Sequence, residues 1–227
     1  MLALKGGVSM VGGRTAIVGV LVCAALALAG CNFVMTVSAI FTPADAGGPS
    51  LKPGYWSSPY CTIDAAANRE SICAQGYLMT ASEMRQIDQS GAADAGEPHQ
   101  HEFTTYLLVA GDPMVMQLAY TNPEVGPEPG AYVFIAVKPT ALDASGRIVA
   151  ATVWPVLCGP PAPQPKPDAP VGPSGFPPST NHPFAGITLG DAGCIPADKA
   201  ALSKAAKASR ALADIVLDLH WVADAAP

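Results

Sequence analysis

The second half of the chain alternates short apolar runs with turn residues, which is typical of strands. Runs rich in Val, Leu, Ile, Tyr and Phe cover residues 104–110, 114–121, 132–138, 148–157, 186–190 and 216–222. Residues 143–146, Asp-Ala-Ser-Gly, favour a turn, so the two runs that flank them are predicted to form a hairpin. In the last run Leu217, Leu219 and Trp221 share one face, which is predicted to face the core.

Two segments predict helices. Thr80 and Glu83 have the spacing of a capping box, which favours a short helix over residues 80–89. Residues 196–198, Pro-Ala-Asp, precede an alanine-rich stretch in which apolar residues recur at helical spacing as far as Ala213. Together these elements predict an α+β fold, in which a small, mostly antiparallel sheet packs against one C-terminal helix.

Proline and glycine divide the chain into segments. Residues 159–183 contain ten prolines, so no ladder of hydrogen bonds can run through them, and a long extended loop is predicted. Residues 42–54 are rich in Pro, Gly, Ala and Ser, which indicates a flexible tether. The predicted order is a leader over 1–30, an anchor and tether over 31–54, and a single domain over 55–227.

The first thirty residues have the pattern of a secretory signal. They carry two charges, both positive, followed by an apolar run from Ala16 to Ala29. The segment ends in Leu28-Ala-Gly-Cys31, which resembles the lipobox of bacterial lipoproteins. The resemblance implies cleavage before Cys31 and attachment of lipid to its thiol. Asn32, in place of Asp, implies by the same resemblance a cell-envelope location in the outer membrane, facing the periplasm.

A membrane-spanning helix over residues 15–42 is the competing interpretation, because this stretch contains no charge and is long enough to cross the hydrocarbon core. Asn32, Thr36 and Ser38 interrupt its apolar character, and together with the lipobox they favour the lipoprotein. Met10 is an alternative start that would leave the same mature protein.

The charge balance limits the classes of molecule that the protein is expected to bind. The chain has 12 Lys and Arg against 18 Asp and Glu, a formal net charge of −6. Because phosphate binding needs clustered cations, we expect no nucleic-acid partner. Lys204, Lys207 and Arg210 form a basic row on the C-terminal helix, which is interpreted either as a solvated face or as a contact with anionic lipid.

Four cysteines remain after Cys31: Cys61, Cys73, Cys158 and Cys194. An even number in an oxidising compartment favours disulfides. Three connectivities are open, and the sequential one, Cys61 to Cys73 and Cys158 to Cys194, suits the order of the elements. A zinc site is the alternative, but no Cys-x-x-Cys pair is present.

Ligand-type residues cluster only at His99, His101 and Glu102. Two histidines two residues apart in a strand share a face and could bind one metal ion, and the alternative is a solvated loop. No nucleophile elbow, metalloprotease helix, phosphate loop or dinucleotide fingerprint occurs in the sequence. We therefore predict neither a cofactor nor a catalytic residue.

Three short segments, Gly54-Tyr-Trp, Cys73-Ala-Gln-Gly76 and residues 154–161, look similar to small envelope lipoproteins of uncharacterised function. The resemblance implies a location in the cell envelope but no particular activity. The expected function is a membrane-anchored envelope lipoprotein with a non-enzymatic binding or scaffolding domain for an envelope protein or polymer. The alternative is a hydrolase or metal-dependent enzyme that acts on envelope polymers.

Overall fold

The computed structural model describes residues 32–57, 76–87, 104–121, 129–161, 180–190, 193–213 and 216–225. Its strands are β1 (Met35–Thr36), β2 (Gly54–Ser57), β3 (Gly76–Met79), β4 (Glu83–Ile87), β5 (Thr104–Val109), β6 (Met114–Thr121), β7 (Pro129–Leu142), β8 (Ile148–Pro155), β9 (Ile187–Gly190), β10 (Gly193–Pro196) and β11 (Leu217–Ala223). One α-helix, α1 (Lys199–Ser209), and a 3-10 turn (Pro43–Asp45) complete the elements of the described part.

The strands form a closed barrel of eight strands, so the predicted α+β fold is wrong. Neighbouring strands follow the order β7-β6-β5-β4-β3-β2-β11-β8, and β8 pairs again with β7, which closes the sheet on itself. All pairings around the barrel are antiparallel. Because the sheet is closed, each barrel strand is paired with a neighbour on both sides. The helix of the described part packs against the outside of this barrel.

Alternation along the strands gives the barrel two distinct faces. On β6, Met114 and Met116 belong to the inner cluster, and Val115 between them belongs to the cluster on the outside. Because paired residues on adjacent strands share a face, the same division continues around the barrel. The predicted inward face of β11 is confirmed, since Leu217, Leu219 and Trp221 all belong to the inner cluster.

Helix α1 packs on the outer wall. Its buried residues are Ala201, Leu202, Ala205, Ala206 and Ser209. Asp198 caps the N-terminus by accepting a 2.7 Å hydrogen bond from the backbone N–H of Ala201. At the other end the Ser209 hydroxyl accepts from the Leu157 N–H at 2.8 Å, and the helix ends there rather than near Ala213 as expected. No helix among the residues described is both long and apolar enough to cross a bilayer.

A disulfide fastens the outer layer, because Cys158 is bonded to Cys194 with 5.8 Å between their Cα atoms. This confirms one of the two predicted pairings, and both residues are fully buried. The disulfide joins the end of the β8 segment to the hairpin of β9 and β10. Cys61 and Cys73 lie outside the described residues.

The segment predicted as a flexible tether is part of the fold instead. Gln117 projects from the outer face of β6, and its Oε1 accepts hydrogen bonds from the N–H groups of Ile40 and Phe41, both at 2.9 Å. Its Nε2 donates to the Phe41 carbonyl at 3.0 Å. A buried amide with these bonds satisfied fixes residues 40–41 on the wall.

The same segment is joined to α1 by an ion pair. Lys199 Nζ lies 2.6 Å from Asp45 Oδ1, and Asp45 Oδ2 accepts from the backbone N–H of Thr42 at 2.7 Å. The hydrogen bond from Lys199, followed by those from Thr42, lowers the pKa of Asp45 to about 2. Both partners are partly exposed, so the pair orients the segment more than it stabilises the fold.

The helix predicted over residues 80–89 is wrong, because residues 80–87 form the turn between β3 and β4 and then β4 itself. The Thr80 hydroxyl accepts from the Glu83 N–H at 2.9 Å, as in a capping box. The Thr80 N–H also donates to the Glu83 carbonyl at 2.8 Å, which closes a hairpin. Met79 and Met84 then pair across the two strands. The local signal was therefore real, but the tertiary pairing turned it into a hairpin.

The ends of the proline-rich segment lie together in the fold. The Phe184 N–H donates to the Cys158 carbonyl at 2.8 Å, and Thr180 is fully buried. A Cβ atom on Gly159 would lie 2.4 Å from the His182 carbonyl oxygen, so the two ends approach closely. Residues 162–179, which include most of the predicted loop, lie outside the described residues.

Gly54 is a steric requirement of barrel closure. Its φ is +129°, and a Cβ atom there would lie 2.3 Å from the Ala223 carbonyl oxygen on β11. We expect Gly54→Ala to lower the free energy of unfolding by about 2 kcal/mol or more, because a strained φ and a backbone clash combine. Gly130→Ala is the control, since a Cβ atom there meets nothing within 4 Å. Denaturant unfolding of both variants measures the difference, and equal stabilities would show that Gly54 is not needed for closure.

Candidate binding site in the barrel

The interior of the barrel is the candidate site, and its lining is apolar. Each of the eight barrel strands contributes to the inner cluster, whose members include Trp56, Met79, Met84, Tyr106, Met116, Ile135, Ile148 and Leu219. The charged residues of these strands occupy the alternate positions and therefore face outward; they are Glu83, Arg85, Lys138, Asp218 and His220. A barrel of eight strands has an interior that side chains fill or that holds one small ligand.

The two ends of the barrel differ. Residues 80–82, 110–113 and 143–147 are the short connections at one end. At the opposite end the strands are joined by the longer connections 58–75 and 88–103, and by 122–128. We call these the closed end and the open end.

The N-terminal segment crosses the closed end. Ala46 forms a bridge with Val109 at the end of β5, and Leu51 forms one with Ile148 at the start of β8. Leu51 is buried and belongs to the inner cluster. The segment then enters β2 at Gly54, so residues 46–53 act as a floor beneath the interior.

Two indole groups hold this floor in place. Trp56 Nε1 donates to the Lys52 carbonyl at 2.8 Å, and Trp221 Nε1 donates to the Pro53 carbonyl at 2.9 Å. The Lys52 ammonium lies 3.3 Å from the centroid of the Trp221 ring, a cation–π contact. The sequence predicts that Trp221 faces the core, and the structure adds that its indole N–H, like that of Trp56, binds the floor.

Burial of the lining differs between the two ends. Met114, Val137 and Ile148, near the closed end, are buried, although Met84, Leu108 and Trp221 at this end are partly exposed. Toward the open end Trp56, which pairs with Tyr77, and Tyr106, which pairs with Leu118, are buried. The other lining residues there are only partly buried, and we call these five apolar side chains the cup: Tyr77, Leu118, Ile135, Val153 and Leu217.

Methionines provide much of the lining. Met79, Met84, Met114 and Met116 all belong to the inner cluster or pack against it. Methionine is unbranched and polarisable, so it adapts to apolar surfaces of different shapes. A lining of this kind accommodates a flexible apolar chain better than a rigid polar group.

The titratable groups of the described lining are two tyrosines. Burial raises the pKa of Tyr106 to about 12, and burial also raises the pKa of Tyr77. The Tyr106 hydroxyl donates to the Thr80 carbonyl at 2.8 Å. Both side chains are therefore neutral at physiological pH, and the interior carries no charge from them.

The residues predicted to carry chemistry are not among those that the structure describes. Cys31, His99, His101 and Glu102 lie outside the described residues. Among those described, no group of three or more His, Cys, Asp or Glu side chains could hold a metal ion. On the basic row, Lys207 is exposed and lies 3.9 Å from Asp112, a weak surface pair.

Comparison with known protein families, with characterised proteins and with solved structures finds no match for this chain.

The sequence did not predict a binding site in the interior of the barrel. The signal is present in β11 and in the first three residues of β4, where charged and apolar residues alternate. It is hidden in β6, where Val115 is as apolar as Met114 and Met116 because the outer face is also covered. Strands buried on both faces lose the alternation that would show which side lines a cavity.

The buried tyrosine predicts a dependence of stability on pH. The folded pKa of Tyr106 is about 12 against 10.0 for an ordinary tyrosine, so the unfolded chain loses the proton first. The contribution of protonated Tyr106 to the free energy of unfolding is fully present below pH 10 and decreases as the pH rises toward 12. The free energy of unfolding falls by roughly 2–3 kcal/mol over this range.

The measurement is the free energy of unfolding from pH 8 to pH 12 for the wild type and for Tyr106→Phe. The variant lacks the hydrogen bond to Thr80 and is less stable at pH 8, but its decrease at high pH should be smaller. Parallel curves for the two proteins would mean that Tyr106 ionises as easily in the fold as in the unfolded chain.

Proposed function

We propose that the protein is an envelope lipoprotein, anchored through lipid on Cys31, whose barrel binds a small apolar ligand without chemical change. The observation that carries the second part is the apolar cup at the open end, formed by five partly buried side chains. A concave apolar site of this kind is the usual form of a binding pocket.

The anchor is supported by the sequence. The charged leader, the apolar run and Leu28-Ala-Gly-Cys31 stand in the order that lipoprotein precursors share. Several acyl chains on one cysteine would hold the protein on a membrane stably. The domain would then reside in the envelope, and the outer membrane facing the periplasm remains the proposed location.

The ligand class follows from the lining. An ionised group inside the cup would lose its hydration with no opposite charge to compensate, because the charged strand residues face outward. An apolar chain or ring would instead exchange water for contacts with methionine, leucine and isoleucine side chains. Fatty acyl chains are the envelope constituents that best fit this description.

The hydrolase alternative has no support among the described residues. An enzyme of that kind needs two or more ionisable groups that converge in a cleft. The cup offers only Tyr77, whose raised pKa makes it a poor proton donor or acceptor near neutral pH. The chemistry would have to come from residues outside the described part of the chain, among them His99, His101 and Glu102.

An uncharged fluorophore such as N-phenyl-1-naphthylamine tests the binding function. We expect saturable fluorescence enhancement with the mature chain carrying Cys31→Ser, so that the anchor's own acyl chains do not compete. Leu118→Asp should weaken binding at least about tenfold, because it places a carboxylate in the cup.

Leu142→Asp is the matched control, since Leu142 is 53% exposed and lies at the closed end. Far-UV circular dichroism checks that both variants are folded. Binding that is not saturable, or that is weakened equally by the two substitutions, would remove the cup as the site.

A further inference from the structure

We propose that the ligand of the barrel is a single-chain lipid with an uncharged polar head, of the monoacylglycerol class, and that the hydroxyl groups of Thr104 and Tyr120 hold this head beside the cup. The inference rests on the proposed binding function. It adds a polar head to the apolar chain already proposed, and it assigns two residues that select this head.

Tyr120 lies on the inner face of the barrel although its side chain is exposed. It follows Met116 and Leu118 at alternate positions of β6, and both of these residues belong to the inner lining. Its partner on β7 is Ala131, whose side chain is a single methyl group. Tyr120 is 50% exposed, whereas Leu118 is partly buried. The inner face of β6 therefore changes from an apolar lining to an accessible phenol as the strand approaches the open end.

Thr104 is the neighbour of Tyr120 on this inner face. It pairs with Met84, a residue of the inner lining, and directly opposed residues share a face of the sheet. The next residue of β5, Thr105, pairs with Ala119 of β6. The same register places Thr104 opposite Tyr120, and the Cβ atoms of residues in such positions are about 5 Å apart. Two side chains that carry hydroxyl groups therefore lie side by side.

Both hydroxyl groups are available to a ligand. The hydroxyl of Tyr106, which lies on the same face, is occupied because it donates to the Thr80 carbonyl at 2.8 Å. Those of Thr104 and Tyr120 make no hydrogen bond with any residue that the structure describes. Thr104 is partly buried, so its hydroxyl is partly withdrawn from water. A polar head placed there would provide the hydrogen-bond partner that this group lacks in the described part of the chain.

The chemistry of the two groups favours an uncharged head. A hydroxyl both donates and accepts, so it pairs with the carbonyl and hydroxyl oxygens of an ester or an alcohol. A carboxylate or phosphate head would need a cation beside it, but the charged residues of the described barrel strands occupy outer positions. The chain also carries a formal net charge of −6, which disfavours an anionic ligand. A monoacylglycerol combines one acyl chain with an uncharged head of this kind.

Competition between 1-monodecanoylglycerol and bound N-phenyl-1-naphthylamine tests the head-group site, again in the mature chain that carries Cys31→Ser. Thr104→Val and Tyr120→Phe each remove one hydroxyl group with little change in shape. We expect each substitution to raise the Kd of 1-monodecanoylglycerol about fivefold, because one hydrogen bond to the head is lost. The Kd of the fluorophore should stay within about twofold of the wild-type value, because the apolar cup is intact.

The outer face of the same strands provides matched controls. Thr105 is exposed beside Thr104, and Tyr132 packs against the cluster outside the barrel. Thr105→Val and Tyr132→Phe should therefore leave the Kd of 1-monodecanoylglycerol within about twofold of the wild-type value. Sodium decanoate at pH 8 should compete at least about fivefold more weakly than 1-monodecanoylglycerol, because its carboxylate is ionised.

The outcomes separate the head-group site from the binding function. If Thr104→Val and Tyr120→Phe leave the Kd of 1-monodecanoylglycerol unchanged, or weaken the fluorophore equally, these hydroxyls do not hold the head and the inference is overturned. Decanoate that competes as well as 1-monodecanoylglycerol overturns the uncharged head. A folded wild-type chain that binds neither the fluorophore nor 1-monodecanoylglycerol overturns the proposed binding function itself.

Discussion

The fold depends on the closure of the barrel by its last strand. β11 pairs with β2 on one edge and with β8 on the other, and the hairpin of β7 and β8 then joins the two ends of the sheet. Strands from the two ends of the sequence thus become neighbours. Closure requires β11 to pass directly over Gly54, where a side chain has no room. Once the sheet is closed, the inner positions are largely shielded from bulk water, which favours apolar side chains there.

Closure also makes the two ends of the barrel unequal. Short turns and the floor of residues 46–53 cover one end, and tryptophan N–H groups bind that floor. At the other end the described lining is only partly buried. This asymmetry is the physical basis for the proposed binding function.

The sequence predicted most of the strands and the helix but not the architecture. Met114–Thr121 was bounded correctly, and the disulfide between Cys158 and Cys194 was anticipated. Closure could not be predicted, because it depends on pairings such as Trp221 with Trp56, which are far apart in the chain. The turn after β3 and the strand β4 were mistaken for a helix because Thr80 makes the same local hydrogen bond in a hairpin as in a capping box.

The candidate site was missed for a related reason. A strand that is covered on its outer face by α1 and by residues 40–41 has no polar side to mark its orientation. The charges on β4 and β11 do mark it, but only once the strands are known to be neighbours in a barrel. Residues 42–54 were likewise predicted to be a tether from composition alone, whereas Leu51 is a buried part of the floor.

The most direct test of the binding site is the methyl spectrum of the protein labelled with ¹³C at the methionine methyl groups, titrated with 1-decanol, which carries no ionised group. The methyl group of Met116, which pairs with Ile135 of the cup, should shift saturably, and those of Met79 and Met114 nearer the floor should shift less. A ligand that leaves the resonance of Met116 unchanged at saturation binds elsewhere. That result would contradict a binding site inside the barrel.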